Sequence, residues 1–305
     1  MKLYKNFNIL RNHKQSIILI GNFDGVHLGH QKLFKLANRY KKKFNLNIGV
    51  LTFEPMPKMF FNKDIKNFRI SSINQKNIIL KSLGVDFVIT QKFEKKFSKI
   101  KSSFFIKDIL SKKLEAKYIF VSNNFRFGNK REGDVNQLIK NERIYDYKII
   151  KPQPLTISQK IISSTYIRSL LEKGNLKKTN KLLSRNWSIE GIVQKGRQLG
   201  KKIGFPTCNI DIGDYVIATP GVYAVKVKHK NSNKFLKGIA NLGYRPTFNQ
   251  KKILLEVHIF NFSGNLYNKY LSVEFIRFIR KEKKFKDVNQ LRKQIQSDLK
   301  VAKNS

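Results

Sequence analysis

The stretch Ser16–His30, SIILIGNFDGVHLGH, constrains the fold more than any other part of the 305-residue chain. It opens on the apolar run Ile17–Ile20, breaks at Gly21, and crosses a loop holding Phe23, Asp24 and Gly25. Two histidines then frame a glycine, His27-Leu28-Gly29-His30, and Leu33, Leu36, Ala37 and Tyr40 follow at helical spacing. The order is strand, glycine-rich turn, helix, with both histidines near the start of the helix. A helix N-terminus offers unpaired N–H groups and partial positive charge. The glycines let the backbone approach a phosphate, and the imidazoles add donors. The stretch predicts a nucleotide site.

The same alternation continues to about residue 150. Predicted strands are 16–21, 47–53, 85–90, 118–122 and 147–150, with helices around 30–43, 73–83, 102–114 and 134–140. Alternation of this kind predicts a parallel sheet with helices on its faces. Ligands of such sheets sit beyond the carboxyl ends of the strands. The loops to inspect are therefore Gly21–His30, Glu54-Pro55-Met56-Pro57 and Asn123-Asn124-Phe125-Arg126-Phe127-Gly128. A further segment, Ile162-Ser163-Ser164-Thr165-Tyr166-Ile167-Arg168, sets three hydroxyl residues before a short helical pattern. Ser and Thr there can cap free N–H groups, and Arg168 can reach a phosphate through two donors. The plain alternative is an ordinary cap with a solvated arginine. A zinc reading of His27 and His30 lacks further ligands in a chain with 5 histidines.

Helical periodicity stops near Ser184–Trp187, which divides the chain into residues 1–185 and 186–305. Short segments follow at 188–193, 222–227, 236–241, 254–260 and 271–275, separated by turn signals such as Thr219-Pro220-Gly221 and Asn231-Ser232-Asn233. That spacing predicts a small antiparallel barrel or sandwich. A helix from Asp287 to about Lys300 ends the chain, with Asp287 and Gln290 placed as a capping box. The chemical signal here is 191–209, GIVQKGRQLGKKIGFPTCN, whose glycines include Gly196, Gly200 and Gly204. A glycine-rich loop with cations can wrap phosphates, and the oxygens of Thr207 and Asn209 can ligate Mg²⁺. It lacks the Walker A pattern, and a pair of glycine-rich hairpin turns is the alternative.

Composition narrows the classes. No run of about 18 apolar residues is present, so no membrane-spanning helix is expected. The N-terminus lacks a signal-peptide stretch. The single cysteine, Cys208, excludes an internal disulfide framework. A cytoplasmic protein is the expectation. The net charge of +42 invites a nucleic-acid reading. However, the lysines are spread along the whole chain, and Lys, Asn, Ile and Phe are abundant together, a set that shares A/T-rich codons. No specific nucleic-acid partner is expected, and the sequence carries no signal for an oligomeric state.

At this point the motifs carry a resemblance. Gly21–His30, the Asn-Asn-Phe-Arg-Phe-Gly run and the Ser-Ser-Thr-Tyr-Ile-Arg run resemble, in order, the bacterial bifunctional riboflavin kinase/FAD synthetases. Gly-Phe-Pro-Thr-Cys-Asn, Pro220-Gly221-Val222-Tyr223, Asn241–Phe248 and Leu255-Glu256-Val257-His258 extend the resemblance over nearly the whole chain. Met56 and Ser122 stand where the family usually has histidine and glycine, and Lys201 and Cys208 replace arginine and alanine. The resemblance implies a Rossmann-like nucleotidylyl-transferase domain followed by a riboflavin kinase-like barrel. It implies that riboflavin is phosphorylated to FMN, and FMN adenylylated to FAD, with ATP as co-substrate and Mg²⁺ as cofactor. His27 and His30 would then hold the triphosphate and stabilise charge as pyrophosphate leaves. Gly21, Phe23, Asp24, Gly25 and Asn124 would border the nucleotide, and Ser164, Thr165 and Arg168 would bind outer phosphates. In the barrel Gly196, Gly200 and Gly204 would form the phosphate loop, Thr207 and Asn209 would bind Mg²⁺, and Glu256 would act as general base.

Overall fold

The computed structural model describes residues 1–196, 200, 203–229, 232, 234–246 and 251–305. Lys201, Asn231, Asn233, Thr247 and Phe248, named above for their motifs, lie outside the described residues. By contacts the chain forms two compact units: residues 1–66 with 73–163, and residues 67–72 with 164–305.

The first unit is built on a six-stranded, wholly parallel sheet. Its strands are β1 (Lys2–Tyr4), β2 (Ile17–Ile20), β3 (Ile48–Glu54), β4 (Phe87–Lys92), β5 (Tyr118–Phe120) and β8 (Lys148–Ile150), in the order β1-β4-β3-β2-β5-β8. Between β5 and β8 lie a hairpin of β6 (Arg126–Phe127) and β7 (Gly133–Asp134) and the short helix α4 (Val135–Lys140). The chain moves outward from β2 to β3 and β4, then crosses back to β5 and β8. The direction of winding therefore reverses between β2 and β5, where Ile17 pairs with Tyr118 and Leu19 with Phe120. That reversal opens a crevice at the strands' carboxyl ends.

The central strands are unbroken apolar runs because both faces of the sheet are covered. Ile17 and Leu19 join Phe34 and Ala37 of α1 (Leu28–Phe44) and Leu80 of α2 (Ile73–Ser82) on one face. Ile18 and Ile20 join Phe105, Ile106 and Leu110 of α3 (Phe105–Lys113) on the other. The winding of α3 is wide, and the Leu114 N–H reaches the Ile109 carbonyl five residues back, at 3.0 Å. All four β2 side chains are buried, each worth about 1.5–3 kcal/mol relative to exposure. The strand β1 escaped the sequence reading because three edge residues carry no period.

The second unit holds a closed six-stranded antiparallel barrel. After the hairpin of β9 (Thr156–Ile157) and β10 (Lys160–Ile161), its strands are β11 (Ser188–Gln194), β12 (Cys208–Asp211), β13 (Gly221–His229), β14 (Leu236–Pro246), β15 (Lys251–Ile259) and β16 (Tyr270–Lys281). They run β11-β12-β15-β14-β13-β16, and β16 pairs back onto β11. Cys208–Asp211 lies outside the predicted strands, yet it is a strand paired with β11 and β15. Its four residues alternate too briefly to announce themselves. Helix α7 (Val288–Lys303) is capped by Asp287, which accepts from the Gln290 N–H at 2.8 Å. Ala302 and Leu299 cover Val222, Ala224 and Ile239 of the barrel. Arg280 donates to the buried Asp298 carboxylate through Nε at 3.0 Å and Nη2 at 2.7 Å.

Segment 67–72 belongs to this unit although it is encoded far upstream. The N–H groups of Phe68 and Arg69 each reach the Asp214 carbonyl at 2.8 Å, and the Val216 N–H returns to the Arg69 carbonyl at 2.8 Å. Buried Trp187 donates its indole N–H to the Ile70 carbonyl at 2.9 Å.

Candidate active sites

In the first unit, Gly21 to His30 leaves the carboxyl end of β2 beside the crevice. The turn is tight: Phe23, Gly25 and Val26 all have positive φ, 49°, 76° and 38°. For Gly25 this is ordinary, but a β-branched valine there is an outlier that its surroundings must hold. Phe23 packs on Phe34 and His30, with 5.2 Å between centroids in each case. His27 caps α1, its Nδ1 accepting from the His30 N–H at 3.4 Å. The two imidazoles stack with centroids 3.7 Å apart. Asp24 and His27 are buried, and Nδ1 of His30 is sheltered without a hydrogen-bond partner. Burial first, then the charges of His27 and Lys76, hold the His30 imidazole well below its ordinary pKa. These surroundings favour the neutral imidazole. Gly29 leaves room for this stack, since a Cβ there would lie 3.1 Å from the His27 ring and 3.2 Å from the Ile162 carbonyl.

Asn124 is exposed in the loop after β5, the strand next to β2, and its Oδ1 accepts from the Ser122 hydroxyl at 2.9 Å. Met56 is buried, and it precedes a short helix, Pro57–Phe61. Two residues beside the turn carry no sequence signal and were missed: Thr52 inside an apolar strand and Lys76 in a lysine-rich chain. Both are buried, with the Lys76 ammonium 3.1 Å from the Thr52 hydroxyl.

Ser164, Thr165 and Arg168 lie on α5 (Ser164–Glu172), in the second unit. Thr165 is exposed and Ser164 half-buried. Arg168 is not a solvated arginine: it is buried, donates from Nε to the Phe68 carbonyl at 2.7 Å, and lies 3.6 Å over the Phe68 ring. The following helix, α6 (Leu176–Leu183), begins at the Asn175 cap.

In the barrel, register explains the motif. Asn209 on β12 stands opposite Glu256 on β15, which stands opposite Asn241 on β14. Leu255 and Val257 point into the core, so Glu256 shares the outer face with Asn209 and is half-buried there. Asn209 is buried, with its Oδ1 lacking a hydrogen-bond partner. Gly196 packs directly on the Asn209 amide, and a Cβ at Gly200 would lie 3.3 Å from the Thr207 hydroxyl. The Gly200 carbonyl accepts from the Phe205 N–H at 2.8 Å, closing a loop in which Gly204 has φ 88°. The His258 ring nitrogen lies 2.8 Å from the Pro206 carbonyl and ties this loop to β15. A cavity of about 470 Å³ opens beside Thr207, lined by Val193, Ile259 and the 262–267 loop. Cys208 also borders it, but burial raises that thiol to about 11 and leaves it inert.

A stacked histidine pair at a helix start beside the switch point of a parallel sheet, and a polar row beside a glycine-rich loop on a closed barrel, point to a nucleotide-dependent transferase. The FAD synthetase family model matches residues 9–166, and the riboflavin kinase family model matches residues 183–305. The chain is 40% identical to the bifunctional riboflavin kinase/FMN adenylyltransferase of Buchnera aphidicola subsp. Schizaphis graminum, over 99% of this chain and 98% of the relative. It is 36% identical to the Escherichia coli K12 protein of the same description, over 98% and 96%. The chain belongs to the bifunctional riboflavin kinase/FMN adenylyltransferase family. A solved structure described as a macrolide-efflux protein from Streptococcus pneumoniae matches with a TM-score of 0.87 and 29% identity, covering 99% of this chain and 98% of that one. Among the described residues here, no helix is long and apolar enough to cross a membrane.

Proposed function

We propose that this chain makes FAD in two steps, phosphorylating riboflavin to FMN in the barrel and adenylylating FMN on the parallel sheet. The observation that carries the reading is one chain holding both a stacked histidine pair at a helix N-terminus and Glu256 in register with Asn209.

In the kinase step Glu256 takes the proton from the ribityl hydroxyl as that oxygen attacks the γ-phosphorus of ATP, the bond from that phosphorus to the β–γ bridging oxygen breaks, and ADP leaves. Gly196, Gly200 and Gly204 shape the loop over the phosphates, and the 470 Å³ cavity beside Thr207 receives the rest of the nucleotide. The partnerless Oδ1 of Asn209 and the hydroxyl of Thr207 suit a hard cation that keeps water and phosphate ligands. Mg²⁺ there would neutralise charge on the transferring phosphoryl group.

In the second step the FMN phosphate attacks the α-phosphorus of ATP, and pyrophosphate leaves. No protein nucleophile is needed; positioning and charge neutralisation carry the reaction. His27, His30 and the start of α1 donate to the phosphates, Gly21, Phe23, Asp24, Gly25 and Asn124 border the nucleotide, and Ser164, Thr165 and Arg168 hold the outer phosphates. The catalytic division follows residues 1–185 and 186–305. The enzyme works in the cytoplasm on small molecules.

Purified protein given riboflavin, ATP and Mg²⁺ should yield FMN and then FAD by chromatography. Absence of both products from folded protein overturns the reading.

A further inference from the structure

Lys76 stands apart from the chain's other lysines. The sequence carries 62 lysines and arginines, and among the described residues Lys76 is the one buried lysine, 5% exposed. It projects from α2, and its Nζ lies 3.1 Å from the Thr52 hydroxyl and 3.3 Å from the Asn22 carbonyl. Thr52 is fully buried, with its hydroxyl 3.5 Å from the same carbonyl. Asn22 opens the turn that leads to His27, and Thr52 lies on β3 next to β2. One ammonium thus clamps the start of the turn to the neighbouring strand.

Burying an ammonium is unfavourable, and lysine is seldom buried for packing alone. Here it lies beside a turn with Phe23 and Val26 in the left-handed region. Such a backbone persists only where the surroundings over-determine it. The charge also reaches His30: the charges acting on that ring are His27 from its own segment and Lys76 from α2.

We propose that Lys76 is a positioning residue of the adenylyltransferase site: it fixes the Asn22–Val26 turn that aims His27 and His30, and lends a buried positive charge to the side where the nucleotide's phosphates dock. This rests on the reading of that site as an FMN adenylyltransferase.

The test compares the full-length wild type with Lys76→Gln and Lys76→Arg, measuring FAD formation from supplied FMN and FMN formation from riboflavin. Lys76→Gln should lower kcat for FAD formation about 10- to 100-fold, as for a misplaced reacting group, and leave FMN formation unchanged. Removing a cation near His30 favours the imidazolium, so the acid limb of the FAD-forming pH profile should move to higher pH. Lys76→Arg should recover most of kcat and restore the limb. Should Lys76→Gln fail to fold by circular dichroism, Thr52→Val removes one anchor while keeping the charge; it should lower kcat severalfold with the acid limb in place. An unchanged kcat in a folded Lys76→Gln protein, or in Thr52→Val where that variant stands in, overturns the proposal. So does an acid limb that does not move in folded Lys76→Gln. A wild type unable to form FAD overturns instead the functional reading beneath it.

Discussion

The rings of His27 and His30 lie face to face, 3.7 Å between centroids, and the first of them caps the helix that carries the second. Any change in the position of one is therefore passed to the other and to the free N–H groups of the helix start.

Gly29→Ala tests this dependence. A methyl group would press at 3.1 Å on the His27 ring and at 3.2 Å on the Ile162 carbonyl. Alanine favours a helix by about 1 kcal/mol over glycine, which offsets the crowding, so stability should change little. FAD formation should fall at least tenfold while FMN formation stays intact. Thermal unfolding measured beside both activities separates the two effects.

Acid should destabilise the first unit through His30. Its folded pKa lies below the ordinary value, so below about pH 6.5 the unfolded chain binds more protons than the native one. Stability is therefore complete above that pH and is lost as pH falls. His13, lowered chiefly by burial, acts in the same direction. His30→Gln should flatten the slope of midpoint against pH below 6.5 without abolishing it, and a slope equal to wild type would assign the whole effect elsewhere.

Glu256→Gln separates the two chemistries. The amide keeps the shape of the side chain but cannot take a proton, and loss of a general base costs about 10²- to 10⁴-fold. FMN formation should drop within that range, whereas supplied FMN should still become FAD at the wild-type rate.

Gly196→Ala should imitate Asn209→Ala. A Cβ at 196 would collide with the buried Asn209 amide and force it to shift. Kinase turnover should fall in both variants to a similar extent, with unfolding midpoints near wild type. A kinase unaffected by Gly196→Ala would detach that glycine from the site.

Asp298→Ala addresses the barrel's support. The carboxylate is 3% exposed and holds Arg280 through two nitrogens. Removing one partner of a buried pair costs about 3–5 kcal/mol, so the midpoint of the barrel's transition should drop by several degrees.

Much of this molecule was legible because its chemistry is carried by local sequence. Buried parallel strands read as unbroken apolar runs, and the turn from Gly21 to His30 holds its glycines, histidines and helix start within ten positions. The register of Asn209 against Glu256 was not legible, since it arises from pairing across 47 positions, and β12 offers only four residues to reveal itself. Lys76 was hidden for a different reason. In a chain with 62 lysines and arginines, identity says nothing about which of them are drawn inside; for Lys76 only the position of α2 does. Segment 67–72 was hidden because backbone hydrogen bonds, which leave no trace in side-chain type, recruit it to the barrel's unit.

That recruited segment bears on how the two enzymes could ever be parted. A single cut near residue 185 would leave behind the Ile70 carbonyl that receives the Trp187 indole, and the partners that Asp214 and Val216 use. A shortened kinase would begin life with a buried donor facing nothing, and a protease nick between the halves would release no intact barrel. Gene fission in this lineage would have to reinvent six residues before it could yield two independent proteins.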